Sequence, residues 1–185
     1  MHTRPALVAL LVASASFTPA SAQHHGHHGS QGPQHAAGAS PYADFEKRPI
    51  KALSEQQIAD LRAGRGMGLA LAAELNGYPG PLHVIELADS LRLTPEQRAR
   101  MEALHTSMRS ETAVLGERLI QKEAHLDRLF ASRTVTRASL SAATSTIGAT
   151  QAALREAHLR FHLATVEVLT PEQVTGYNEA RGYSR

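Results

Sequence analysis

The chain has eleven histidines in 185 residues, and two groups of them have the spacing of metal ligands. Neutral imidazoles at high density bind Zn(II), Ni(II) or Cu(II), because a flexible backbone lets several reach one ion. The alternative interpretation of the first group is a solvated low-complexity linker. This group lies near the N-terminus and comprises His24, His25, His27, His28 and His35.

The first group also offers a more specific site. Cleavage of an export signal after Ala22 would leave Gln23-His24-His25 as the new terminus. A free α-amine, two amide nitrogens and a histidine at the third position form a square-planar site for Cu(II) or Ni(II). Cyclisation of Gln23 to pyroglutamate would remove the amine and with it this site.

The second group combines histidines with a thioether in the C-terminal half of the chain. Two of its histidines are four residues apart and therefore share one face of a helix. If two long helices turn near residue 133, a third histidine lies opposite this pair. Imidazoles with a thioether suit Cu or a Ni/Co-type ion. In the alternative interpretation these residues are structural. The methionines fill the core, and the first histidine of the pair lies in the apolar face of its helix and is hydrogen-bonded there. The group comprises His105, Met108, His158 and His162, with Met101 one turn away.

Apolar periodicity predicts the helices that carry the second group. One helix starts at Pro95 and repeats apolar residues every three or four positions to about Phe130. A second long helix carries a seven-residue apolar step from Leu140 to Val168. At ~1.5 Å per residue the first helix is about 50 Å long, so we expect an antiparallel hairpin.

Helix-capping signals frame this hairpin. The pentapeptide Leu-Thr-Pro-Glu-Gln occurs at 93–97 and again at 169–173. In each copy Thr is an N-cap, Pro fits the first helical position, Glu faces the positive end of the helix dipole, and Gln completes a capping box. The first copy is predicted to open the hairpin and the second to close it and start a short terminal helix.

Shorter helices are predicted before the hairpin. Ser54 begins one, three glycines between residues 64 and 68 bend or break it, and another runs from His83 to Leu91. The predicted fold class is all-α: a long antiparallel helical hairpin wrapped by shorter N-terminal and C-terminal helices, with a disordered His-rich tail. A homodimer is expected to complete the burial of the apolar stripes.

The predicted domain organisation has three parts. Residues 1–22 have the polar start, short apolar core and small-residue cleavage site of a signal peptide. Residues 23–45 form a disordered His-rich linker, and residues 46–185 form the helical domain. No segment of the mature chain is long and apolar enough to span a membrane.

Composition excludes several classes of function. The formal charge is only +2 and the basic residues are scattered, so the sequence predicts no nucleic-acid partner. No spacing marks a nucleophile, base and orienting group, so it predicts no enzyme and no required cofactor. The glycines at 64–68 follow a helix and not a strand, which is untypical of a phosphate-binding loop.

A helical hairpin flanked by two LTxxQ motifs, behind a signal peptide and without cysteines, resembles the Spy/CpxP family of periplasmic proteins. That family includes ZraP-like and CnrX-like metal-responsive members. The resemblance implies a periplasmic, often dimeric, cradle-shaped protein. Spy-like members are ATP-independent chaperones, CpxP-like members damp an envelope sensor kinase, and CnrX-like members bind metal and signal through a membrane partner.

The predicted function follows from the resemblance and the histidines together. The first hypothesis is a periplasmic stress-response protein that binds unfolded client proteins as a chaperone and also binds Zn, Cu or Ni. Basic residues along the hairpin would attract such clients over a distance. The second is a heavy-metal sensor or buffer without chaperone activity. The third is a regulator that binds an envelope sensor protein.

Overall fold

The computed structural model describes residues 40–183 of the chain. The predicted signal peptide and all histidines of the first group lie outside the described residues. A 3-10 helix at Ala43–Lys47 crosses the predicted boundary at residue 45 between the linker and the helical domain.

The described part of the chain is all-α, which confirms the predicted fold class. It contains six α-helices and no strand within residues 40–183. In chain order they are α1 (Glu55–Arg62), α2 (Leu71–Glu74), α3 (Pro81–Glu86), α4 (Pro95–Ala131), α5 (Arg137–Val166) and α6 (Pro171–Ala180).

The long helices α4 and α5 pack against each other as the predicted hairpin. The turn between them needs Arg133 in the left-handed region, with φ +56°. Thr136 then caps α5, and its side chain accepts from the backbone N–H of Ser139. Helices α1 and α3 pack against α4, while α2 and α3 also contact α5. The shorter helices therefore lie against the hairpin.

Three helix ends differ from the predicted pattern or refine it. The helix predicted at His83–Leu91 is instead α3, which begins at Pro81 because proline is preset for the first helical turn. It ends at Glu86, earlier than predicted, and the chain then continues in turns to Arg92, whose φ is +49°. Helix α5 stops at Val166, before the predicted Val168. The chain turns at residues 167–169, and Thr170, which precedes Pro171, is extended.

The glycine-rich segment ends α1 and does not bend it. Gly64 has φ +65°. Its N–H donates to the Leu61 carbonyl, and the backbone N–H of Arg65 donates to the Asp60 carbonyl. These two bonds form a Schellman motif, in which a left-handed glycine closes the helix.

The apolar core lies in two clusters along the hairpin. One joins α1 to the middle of the hairpin through Leu61, Leu119 and Leu154. The other joins α3 and α6 to its base and contains Met101 and Tyr177, both fully buried. A cleft lies between the hairpin and the segment that contains α2. Within the described residues, no helix has both the length and the apolar character needed to cross a bilayer.

Candidate metal centre

An open cleft of about 690 Å³ lies against the hairpin and is bordered by the glycine-rich loop and the start of α3. All four predicted ligands of the second group line this cleft. Helix α4 contributes His105 and Met108, and helix α5 contributes His158 and His162. The tertiary structure thus brings together on one surface residues that lie about 50 positions apart in the sequence.

His158 is the most deeply buried of the four, with 2% of its surface exposed. Its Nε2 atom is buried and has no hydrogen-bond partner. Gly66 covers the ring: a Cβ added at Gly66 would lie 3.8 Å from the Nδ1 atom of His158. Burial, followed by the neighbouring His162, lowers the pKa of His158 below that of free imidazole. The ring is therefore neutral at pH 7, the form that binds metal.

His162 is oriented by the loop before α3. Its Nδ1 atom lies 2.6 Å from the Tyr78 carbonyl oxygen, which can only accept, so Nδ1 carries the proton. Nε2 of the neutral ring then holds the lone pair. A hydrogen bond from the second ring nitrogen to a carbonyl is the arrangement that orients metal-binding histidines. Gly80 makes room for the ring, since a Cβ there would lie 3.0 Å from Nε2.

His105 and Met108 line the cleft from α4, and both are half-buried. Burial lowers the pKa of His105, and the charge of Arg109 lowers it further, while Glu86 opposes both effects. Met101 lies in the core and is not among the residues that line the cleft.

A buried carboxylate lies behind the histidines, and no sequence pattern pointed to it. Glu74 accepts hydrogen bonds from the hydroxyl of Tyr177, from the hydroxyl of Tyr183 at 3.1 Å and from the Gly80 N–H at 3.3 Å. Its Oε2 atom lies 3.8 Å from Nδ1 of His162. Glu74 looks like any helix glutamate in the sequence, because the two tyrosines that bond to it lie 103 and 109 residues away. It places negative charge beside His162.

Basic side chains lie on the rim of the cleft. Arg65 is paired with Asp60 and Arg109 lies beside His105. His83 also lies on the rim, with Nδ1 3.0 Å from a carboxylate oxygen of Glu86.

The described residues supply part of a metal site. Within residues 40–183, no three His, Cys, Asp or Glu side chains converge closely enough to hold an ion. What the cleft offers is two imidazoles on one face of α5, with a third imidazole and a thioether on α4. Imidazole suits Zn, Cu and Ni, and thioether sulfur suits copper. This donor set favours borderline and soft metals over Mg²⁺ or Ca²⁺, which prefer oxygen ligands.

Residues 68–175 match a family model described as heavy-metal resistance. This range covers more than half of the chain and includes His105, Met108, His158 and His162. Neither a curated protein nor a solved structure matches the chain significantly.

Proposed function

Because the chain belongs to the heavy-metal resistance family, we propose that it binds a heavy-metal ion in the cleft of its hairpin and acts as a metal sensor or buffer. The metals that suit the cleft are Zn, Cu and Ni. The predicted signal peptide at residues 1–22 supports a periplasmic location for this activity.

The observation that carries the proposal is the pair of buried imidazoles on α5. His158 has an unpartnered Nε2 atom, and a buried polar atom without a partner is destabilising. His162 has its proton fixed on Nδ1 by the Tyr78 carbonyl. A bound metal ion would satisfy the first ring and use the free lone pair of the second.

The experiment must separate the cleft from the histidines near the N-terminus. We therefore define a tail-substituted chain, which is the full chain carrying His24→Ala, His25→Ala, His27→Ala, His28→Ala and His35→Ala. Zn(II), Ni(II) and Cu(II) are titrated into it by isothermal calorimetry. We expect binding, and we expect the further change His158→Ala with His162→Ala to weaken it at least about tenfold.

His125 provides the matched control for this experiment. It lies on α4, is exposed and is not among the residues lining the cleft. His125→Ala is expected to leave the metal affinity unchanged. Equal affinity in the tail-substituted chain with and without His158 and His162 would contradict the proposal, and circular dichroism establishes that the variant is folded.

A second candidate function is the binding of unfolded client proteins. It is favoured by apolar side chains at the rim of the cleft, where Leu71 is 54% exposed and Leu82 is 40% exposed. Exposed apolar surface of this kind is typical of sites that bind other proteins. This function would place the chain among the Spy/CpxP-type members.

An aggregation assay tests the second candidate. Light scattering of thermally unfolding citrate synthase is followed with the full chain, with and without Zn(II) or Cu(II). A client-binding protein suppresses scattering, and Leu71→Ser with Leu82→Ser weakens the suppression. Leu75→Ser is the control, since Leu75 is 56% exposed but does not line the cleft. Metal binding without suppression would leave only the sensor or buffer function.

We also propose that a second copy of the chain is a partner of this protein. Val114, Phe130 and Leu163 remain more than half exposed on the hairpin, which supports the predicted homodimer. Sedimentation velocity of the full chain measures its mass in solution, and a monomer at micromolar concentration would contradict it. An envelope sensor protein is the other partner that a metal sensor would require.

A further inference from the structure

All five residues of the glycine-rich loop at 64–68 line the proposed metal cleft. It is seated on α4, where the Gly64 carbonyl accepts from the Thr112 hydroxyl at 3.2 Å. Gly64 has no room for a side chain, since a Cβ there would lie 2.7 Å from the Arg109 carbonyl oxygen. The loop therefore has a fixed position beside the cleft, and its middle residue Gly66 lies against His158.

Met67 is held in a strained conformation at the edge of this loop. Its φ is +44°, in the left-handed region that disfavours residues with a Cβ. Two glycines flank Met67, yet the strained position itself carries a long side chain. This side chain lines the cleft and is 43% exposed, so apolar burial does not explain it. Strained residues of this kind concentrate at functional sites.

The donor atoms around the cleft then include two thioethers, from Met67 on the loop and Met108 on α4. Nitrogen and carboxylate ligands alone do not complete a site within the described residues. Thioether sulfur is a soft ligand that selects Cu(I) over Zn(II) and Ni(II).

We propose that the cleft is a copper(I) site in which the sulfur atoms of Met67 and Met108 complete a ligand set begun by His158 and His162. This inference rests on the proposed metal-binding function and names its metal. Met67 is the residue that gives the preference for Cu(I), and the contact of Gly64 with α4 holds its loop against the hairpin.

The test compares Met67→Leu with the tail-substituted chain. Cu(I) affinity is measured without oxygen by competition with bicinchoninate, and Zn(II) affinity by calorimetry. Met67→Leu is expected to weaken Cu(I) binding about tenfold or more and to leave Zn(II) binding unchanged. X-ray absorption at the copper edge is expected to show one sulfur ligand fewer. Met101→Leu is the matched control, because Met101 lies in the core and not among the lining residues.

A second variant separates ligation from folding. Met67→Gly removes the sulfur and also relieves the left-handed strain, so it is expected to raise the thermal midpoint of the metal-free chain while losing Cu(I) affinity. Unchanged Cu(I) affinity and sulfur count in Met67→Leu would overturn the copper(I) site. The proposed function would survive that result if His158→Ala with His162→Ala still weakens Zn(II) binding. A tail-substituted chain that binds none of these ions would overturn both.

Discussion

Gln97 and Gln173 hydrogen-bond to each other through both of their side-chain amides. Nε2 of Gln97 donates to Oε1 of Gln173 at 2.9 Å, and Nε2 of Gln173 donates to Oε1 of Gln97 at 3.0 Å. Each glutamine also accepts from the backbone N–H of its own N-cap threonine. The second amide protons go to the carbonyls of Val168 and Leu91. The two copies of the pentapeptide are thus joined, and they fasten α4 to α6 at the base of the hairpin.

The first prediction concerns this glutamine pair. Gln97→Ala and Gln173→Ala are each expected to lower the free energy of unfolding by about 2 kcal/mol, because each leaves part-buried groups unpaired. The double variant should cost less than the two single changes together, by about 1 kcal/mol. Urea unfolding followed by circular dichroism measures all three.

Gln57 is the control for the glutamine pair. It completes the same capping box with Ser54, but it is exposed and bonds only to that cap within the described residues. Gln57→Ala is expected to cost about 1 kcal/mol or less. Strict additivity of the Gln97 and Gln173 variants would show that the contact between the pentapeptides contributes nothing to stability.

The second prediction uses two glycines in the long helices. A Cβ at Gly116 in α4 would lie 2.3 Å from the Leu61 carbonyl oxygen, which belongs to α1. Gly116→Ala should therefore destabilise the protein by about 2–3 kcal/mol despite the better helix propensity of alanine. Gly148 in α5 has no atom within 4 Å of such a Cβ, and Gly148→Ala should stabilise by up to about 1 kcal/mol. Two thermal midpoints that move in the same direction would refute the close packing of α1 on Gly116.

The third prediction concerns pH. The pKa of His158 is lowered in the folded state from its ordinary value of 6.5, so below pH 6.5 the unfolded chain binds a proton that the folded chain does not. The stability that comes from keeping this ring neutral is complete above pH 6.5 and is lost as the pH falls toward the folded pKa. The lowered pKa of His105 acts in the same direction.

Urea unfolding at about pH 7.5 and about pH 5.5 measures this effect. The difference in free energy between the two conditions is expected to be smaller in His158→Leu than in the parent chain. His125→Ala controls for the removal of a histidine from the exposed surface. A pH dependence that His158→Leu leaves intact would place its origin elsewhere in the chain.

The fourth prediction concerns access to the imidazoles. Gly80→Ala would bring a Cβ to 3.0 Å from Nε2 of His162, so we expect it to displace the ring and weaken Zn(II) binding about tenfold in the tail-substituted chain. Gly66→Ala places its Cβ 3.8 Å from His158, an ordinary contact, and should change the affinity little. Calorimetric titration of both variants measures this effect, and an unchanged affinity in Gly80→Ala would mean that the Nε2 atom of His162 is not a ligand.

The fifth prediction concerns the carboxylate behind the site. The hydroxyls of Tyr177 and Tyr183 bond the same oxygen of Glu74, but only Tyr177 is fully buried. Burial and the bond to Glu74 raise the pKa of Tyr177 far above its usual value. Tyr177→Phe should cost about 2 kcal/mol, since it removes a buried bond to a charged group, and Tyr183→Phe should cost less. Chemical unfolding compares them, and a larger cost for Tyr183→Phe would contradict this assignment of burial.

Local signals in the sequence were sufficient to predict the hairpin and its caps. Each capping box joins residues three positions apart, and each apolar stripe repeats within one or two turns, so neighbouring residues decide them. The early end of α3 at Glu86 was not predicted, because the apolar pattern continues through Leu87 and Leu91 while the backbone leaves the helix after Glu86. The four candidate ligands on the hairpin were also predicted from spacing, since residues at a fixed distance from a turn face each other.

The sequence by itself determined the two long helices, the capped starts of α4, α5 and α6, and the faces that carry His105, Met108, His158 and His162. Only the tertiary structure decided which distant groups meet. Gln97 and Gln173 are 76 residues apart, and Glu74 and Tyr177 are 103 apart. Contacts over such separations depend on how α2, α3 and α6 pack on the hairpin, and no local propensity encodes that packing. The burial of Glu74 and the position of the glycine-rich loop over His158 follow from it.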